Sequence, residues 1–196
     1  MDSREELRKK LRTQRANLRL NDQVIASQKM TERLIKDSLF QKNQRIAAYL
    51  SINYEINPEN IVKKAWESHK HCYLPVLQEK KLIFSAYEEN TPLNNNRFNI
   101  PEPPLSTELI INPCDLDLVL VPLLGFTIKG ERLGMGGGFY DRSFHFLLKN
   151  PRPIKPFLIG LAYEWQKLET LETKNWDVPL DAVVTEERTY LFTFCL

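Results

Sequence analysis

The hydrophobic positions at the amino end repeat with the period of a helix. Leu7, Leu11 and Leu18 form an apolar stripe over residues 3–19, and Arg4, Arg8, Lys9, Arg12, Arg15 and Arg19 supply a basic surface. A second helix is predicted to about Leu39, capped by Asn21 or Asp22. Residues 45–51 (RIAAYLS) are a mostly apolar run of strand length. Asn57-Pro58-Glu59 then joins a cap, a first-turn proline and an acid, and predicts a helix that turns Ile61, Val62, Ala65 and Trp66 inward and ends near His69.

Two apolar runs follow, at 71–77 and 82–87, and both read as strands. Residues 88–104 are polar and proline-rich, an irregular loop long enough to suggest a task of its own. The most apolar strand candidate is 116–122 (LDLVLVP), and a helix is expected over 140–149, stopped by Asn150-Pro151. Later strands are predicted at 157–162, 182–185 and 190–194. Strands alternating with helices favour an α/β layered fold with a mainly parallel sheet. No internal repeat or linker divides the chain, so 1–196 is expected to be a single domain.

Composition narrows the function less than the pattern narrows the fold. Of 196 residues, 42% are hydrophobic and 27% charged, which excludes a disordered or collagen-like chain. Lys and Arg number 27 against 25 Asp and Glu, and a net charge of +2 gives no reason to expect nucleic acid or an anionic membrane as partner. Cys72, Cys114 and Cys195 are too scattered for a disulfide framework or a paired-cysteine zinc site. His69, His71 and Cys72 have no second ligand pair nearby in sequence, His145 reads as helix surface, and no Ser/His/Asp or Cys/His set suggests covalent catalysis. The residues after Met1 are charged, and the longest apolar run, broken by Pro122, is far shorter than a membrane span. A monomeric, cytoplasmic protein acting on small molecules is the expectation.

Glycine is the exception. There are seven, and six of them (Gly125, Gly130, Gly134, Gly136, Gly137 and Gly138) fall in one stretch, with Gly160 apart. A strand, bare backbone and a helix in that order suit an anion, because N–H groups can approach without a β-carbon in the way. Neither common phosphate motif is complete. Glu131-Arg132 stands where a P-loop needs Lys-Ser/Thr, and Phe139 takes the third glycine position of a dinucleotide fingerprint. Spacing alone leaves phosphate binding and a tight structural turn both open.

The wider string says more. RLGMGGGFYDR (132–142) resembles the signature of the 5-formyltetrahydrofolate cyclo-ligases, also called methenyltetrahydrofolate synthetases. VPLLGF (121–126), YLSINYEIN (49–57), FNIPEP (98–103) and WDVPLDAVVTEE (176–187) are similar to other segments of that family, in the same order along nearly the whole chain. The resemblance implies a three-layer α/β/α fold and an ATP- and Mg²⁺-dependent conversion of 5-formyltetrahydrofolate to 5,10-methenyltetrahydrofolate, with ADP and phosphate released. The formyl oxygen would be phosphorylated and then displaced by attack of N10.

It also implies roles residue by residue. Arg4, Arg8, Arg132, Leu133, Gly134, Met135, Gly136, Gly137, Gly138, Phe139 and Tyr140 would contact ATP. Leu50, Glu55, Phe98 and the loop from Met135 through Phe139 would contact the folate. Arg132, Tyr140 and Asp141 would be catalytic. Asp141 and Asp177 would hold the metal, with Asp181 the alternative to Asp177. Met135 departs from the basic residue or histidine carried by many relatives, and Arg4 replaces a common lysine with its charge kept. A sugar-phosphate isomerase or acyl-CoA transferase relative, using the same loop without ATP, is the rival reading. An RNA-binding module built on the basic first helix is a third, opposed by the charge balance.

Overall fold

The structure, a computed structural model, describes residues 3–192. Helices α1 (Arg4–Ala16), α2 (Leu20–Lys36) and α3 (Ser38–Lys42) precede strand β1 (Arg45–Ala47). Helix α4 (Glu59–Glu67) leads into β2 (His71–Gln78) and β3 (Lys81–Ala86), followed by the short strands β4 (Asn94–Asn95), β5 (Pro101–Glu102) and β6 (Ile110–Ile111). Then come β7 (Leu118–Pro122), β8 (Gly125–Phe126), β9 (Arg132–Leu133), α5 (Phe139–Ser143), β10 (Phe157–Leu161), β11 (Ala182–Val184) and β12 (Thr189–Leu191).

Eight strands form one sheet in the order β12-β11-β10-β7-β1-β2-β3-β6. Its centre, from β11 through β2, is parallel, and antiparallel strands flank it on both sides. The mainly parallel α/β expectation holds. Alternate residues of the central strands face opposite layers. Ile46, Leu118, Leu120, Ile159 and Val184 pack with Met30, Leu34, Phe40, Ile61, Val62 and Ala65 from α2, α3 and α4. Ala47, Val119, Val121, Leu158 and Val183 pack with Phe144, Leu147, Val178 and Leu180 on the other side. Burial on both faces explains why β7 is a continuous apolar run and not an alternating one. No helix among the described residues is long and apolar enough to cross a membrane.

The topology decides where a crevice opens. The chain runs from β1 outward to β2, returns to β7 on the other side of β1, and continues to β10 and β11. The order therefore reverses between β1 and β7. Ligand sites in open α/β sheets lie outside the carboxyl ends of the strands at such a switch point.

Several sequence expectations need correction. The second helix starts at Leu20, with Asp22 in its first turn and not at the cap, and it ends at Lys36 because Asp37 caps α3 instead, accepting from Leu39 N–H. The loop at 88–104 contains the β4–β5 hairpin, held by an Asn96 carboxamide that accepts from the N–H groups of Phe98 and Ile100. The glycine stretch holds a second hairpin, β8 with β9. The helix expected over 140–149 is only the single turn of α5 and a 3-10 turn at His145–Leu148, because Phe144 leaves helical geometry to bury its ring against Phe84. The ladder of β1 stops at Ala47, although strand character was expected to Ser51. Of the last predicted strand, Thr193 and Phe194 lie outside the described residues, as does Cys195.

Arg15 is the largest surprise in the first helix, because it is 1% exposed and not part of the basic surface. Gly160, the glycine outside the cluster, has a packing reason. A Cβ there would lie 2.6 Å from Leu123 Cδ2 and 2.7 Å from Leu180 Cδ1, in the central strand β10. Gly160→Ala is expected to cost about 1–3 kcal/mol through overpacking, measured as a lower urea midpoint at unchanged slope.

Candidate active site

A cleft of about 770 Å³ opens at the predicted switch point. The chain leaving β1 builds one wall with Tyr49, Leu50 and Glu55; β2 contributes Leu74, Pro75 and Leu77. The carboxyl end of β7 supplies Pro122, and beyond the β8–β9 hairpin the glycine loop supplies residues 134–138. Helix α1 brings Arg4 and Arg8, and the approach to β11 brings Lys174, Trp176 and Asp177. One concavity thus collects segments from the whole length of the chain.

The glycine loop is tied down at both sides and open in the middle. Arg8 Nε donates to the Gly134 carbonyl at 3.0 Å, and Arg142 Nη2 donates to the Gly137 carbonyl at 2.5 Å. Gly136 has φ +104° and Gly138 has φ +63°, so two consecutive changes of backbone hand turn the chain into α5. The N–H groups of Met135, Gly136, Gly137 and Gly138 have no acceptor among the described residues. Converging amides without partners form a concavity for an anion. Helix α5 is one short turn, so the amides and the flanking arginines carry the positive character and a helix dipole adds little.

Two carboxylates stand at this end of the cleft. Asp141 Oδ1 accepts from Arg132 Nη2 at 2.5 Å and from Val178 N–H at 3.1 Å, which leaves Oδ2 without a partner among the described residues. Asp177 Oδ2 accepts from Arg4 Nη1 at 2.5 Å and from Lys174 N–H at 2.9 Å, which leaves its Oδ1 likewise. Asp181 is elsewhere. It is held by Arg152 and by Leu158 N–H near the amino end of β10, away from the strand ends that form the cleft. Of the two candidates, Asp177 is the one on the cleft wall. No group of three or more His, Cys, Asp and Glu side chains is gathered among the described residues, so a metal here would need ligands from a bound molecule or water.

Arg132 lines the cleft, but its guanidinium is nearly buried and is spent on the Val178 carbonyl and on Asp141. Its position fits orienting Asp141 better than reaching a phosphate. Leu133 is buried in a cluster with Leu11, Leu124 and Leu171, and its carbonyl accepts from Leu124 N–H. It pairs with Gly125 in the β8–β9 hairpin and does not line the cleft, so the structure does not bring it to the nucleotide position that the resemblance implied. Tyr140 stacks on Phe144 at 6.2 Å, and burial pushes its phenol up, so it stays protonated and able to donate at neutral pH.

The cleft also has an apolar lining. Phe98, 54% exposed on the β4–β5 hairpin, meets Phe139 edge-on at 6.0 Å, and the Arg97 guanidinium lies 5.1 Å from its ring. Leu50 is half-buried in the cleft lining. Glu55 is 8% exposed, and desolvation raises its carboxyl, opposed by the Arg15 cation and by the N–H of Ile52. A buried carboxylate beside an apolar slot is a site for a flat ligand with N–H donors.

Sequence reasoning missed Tyr49, Arg15, Trp176, Asn96 and Glu102. Four of them lie inside or beside segments already singled out: Tyr49 opens YLSINYEIN, Asn96 stands just before FNIPEP and Glu102 within it, and Trp176 opens WDVPLDAVVTEE. Arg15 had a periodic signal of its own, four residues after Leu11 and three before Leu18 on the apolar stripe.

Comparison with known proteins agrees with this architecture. The model of the 5-formyltetrahydrofolate cyclo-ligase family matches residues 1–186. The chain is 38% identical to the 5-formyltetrahydrofolate cyclo-ligase of Haemophilus influenzae over 180 residues, covering 90% of this chain and 94% of that one. It is 36% identical to the Escherichia coli K12 protein of the same name, over 74% of this chain and 79% of that one. The solved structure of Aquifex aeolicus 5,10-methenyltetrahydrofolate synthetase superposes with a TM-score of 0.82 at 29% identity, covering 98% of this chain and 94% of that chain. The chain belongs to the 5-formyltetrahydrofolate cyclo-ligase family.

Proposed function

We propose that the protein converts 5-formyltetrahydrofolate and ATP to 5,10-methenyltetrahydrofolate, ADP and phosphate. The observation that carries this reading is one cleft lined by two chemically different sets of groups. Free amides, arginines and two carboxylates make up one set, and apolar side chains with a buried glutamate make up the other. A nucleotide's phosphates suit the first and a pterin the second.

The chemistry needs little from the protein beyond position and charge. A formamide oxygen is a poor leaving group. Its attack on the γ-phosphorus releases ADP and makes it a phosphate ester. N10 then closes on the activated carbon, phosphate departs, and N10 loses its proton. The loop amides would hold the transferring phosphoryl group, and Arg4 and Arg8 would hold the charge of the polyphosphate. Tyr140 stays protonated and can donate to the oxygen that becomes the leaving group.

The carboxylates fit Mg²⁺, which is held by one or two carboxylates together with phosphate oxygens and water. Asp141 and Asp177 would be its ligands, through the oxygens that have no partner among the described residues. When bound, the ion supplies charge neutralisation on the transferring phosphate. Glu55, Leu50 and Phe98 would seat the pterin and the aminobenzoyl ring.

The test mixes protein, ATP, MgCl₂ and 5-formyltetrahydrofolate and follows the absorbance of the methenyl product. Product that depends on both ATP and magnesium is expected. Folded protein that makes none overturns the proposal. Thermal stabilisation by Mg–ATP separates this reading from an ATP-independent isomerase or transferase on the same scaffold.

A further inference from the structure

Behind the wall of the cleft lies a cation that the mechanism above does not use. Arg15 is 1% exposed on the inner side of α1. Its Nη1 donates to the Leu123 carbonyl at 3.3 Å and stands 3.7 Å from Glu55 Oε1, while Nη2 is 4.0 Å from Met135 Sδ. Its Nε has no partner among the described residues. Arg15 thus touches the exit of β7, the glycine loop and the glutamate of the apolar slot at once.

This is poor satisfaction for a fully buried guanidinium, which carries five donors. An unpaired buried N–H and a long ion pair both cost stability, and an apolar side chain of similar volume would serve the core as well or better. What an apolar side chain cannot do is act on Glu55. Among the described residues Arg15 is the one cation within ion-pair distance of that carboxylate. The other groups facing Glu55 are Tyr49, beyond β1, and Tyr140, from α5; burial keeps both phenols protonated. Tyr163 and Arg12 act on Arg15 from its other sides. Ile52 N–H fixes Glu55 Oε2 at 3.2 Å, and Arg15 faces Oε1.

We infer that Arg15 is a positioning residue for folate binding in the cleft: its guanidinium holds the Glu55 carboxylate ionised and aimed, and so sets affinity for the folate and not for the nucleotide. The inference rests on the folate reading of the cleft given above. Desolvation already raises the Glu55 carboxyl, and the Arg15 cation works against it. Without that cation the carboxyl rises further. Below its new pKa the group is a neutral acid that presents a hydroxyl to the ligand's N–H donors. The loss must therefore deepen as pH falls and fade as pH rises.

The experiment compares wild type with Arg15→Met, Arg15→Lys, Glu55→Gln and the double variant Arg15→Met/Glu55→Gln. KM is measured for 5-formyltetrahydrofolate and for ATP from about pH 6 to about pH 8.5, with melting temperature as a fold check. Arg15→Met is expected to raise the folate KM about tenfold or more at the acid end, consistent with loss of one charge-assisted hydrogen bond. The gap should narrow toward the basic end, the ATP KM should stay within about twofold, and Arg15→Lys should recover most of the loss. Glu55→Gln should raise the folate KM without that pH dependence, and the double variant should be no worse than Glu55→Gln alone. If Arg15→Met does not fold, Arg15→Lys carries the test, with a smaller rise of the same pH dependence expected. A folate KM independent of pH in the arginine variants, or single effects that multiply in the double variant, overturns the inference. Wild-type protein that forms no methenyl product fails earlier and removes the folate reading itself.

Discussion

Asp141→Asn is expected to lower kcat by at least about 100-fold while the protein stays folded. Asparagine keeps an oxygen for Val178 N–H and for Arg132 Nη2, the two bonds that fix this side chain. What it loses is the negative charge and the second carboxylate oxygen that would meet the metal. A loss of about 1 kcal/mol in stability is expected, because Arg132 gives up its ionic partner while keeping a hydrogen bond. Magnesium titration of the steady-state rate checks the assignment, since the concentration needed for half-maximal activity should rise with the fall in kcat. Kinetics like those of wild type, at all magnesium concentrations, would remove Asp141 from the site.

Arg132→Met should produce the largest loss of stability, about 3–5 kcal/mol by denaturant unfolding. The guanidinium is 6% exposed and is the donor to both the Val178 carbonyl and Asp141, so its removal leaves a buried acceptor and a carboxylate unpaired. Activity should fall too, but by way of Asp141. The double variant Arg132→Met/Asp141→Asn should therefore be no less active than Asp141→Asn alone. If the two activity losses multiply instead, Arg132 contacts the reacting phosphate directly, as the resemblance to the family first implied.

These two residues illustrate how far the sequence could be read. The string RLGMGGGFYDR marked the loop, the arginine and the aspartate as one unit. It could not say that the arginine serves the aspartate, because Val178, the third member of that arrangement, lies well over thirty residues further along the chain. Asp177 and Asp181 are the same case. Both carboxylates belong to WDVPLDAVVTEE, and nothing in their spacing tells them apart. Asp181 is spent on Arg152 and the start of β10, and Asp177 reaches the cleft beside Arg4. The short hairpins β4–β5 and β8–β9 were illegible for another reason. Two residues are too few to show a hydrophobic period, and such strands exist because tertiary pairing offers them partners.

By itself the sequence determined the elements whose hydrophobic pattern outweighs any alternative: the strands at β7 and β10, the helix after Asn57-Pro58, and the parallel α/β class that they imply. It also marked the glycine loop, and the resemblance of its motifs to the family pointed to many of the residues that line the cleft. The tertiary structure alone decided which charges are buried together. Arg15 sits on a helix written in arginines, and only the packing of α1 against the exits of β1 and β7 turns that one inward to meet Glu55. The physical reason is range. Periodicity is a property of neighbouring residues, whereas the state of a buried ion depends on whatever the fold brings within a few ångströms of it.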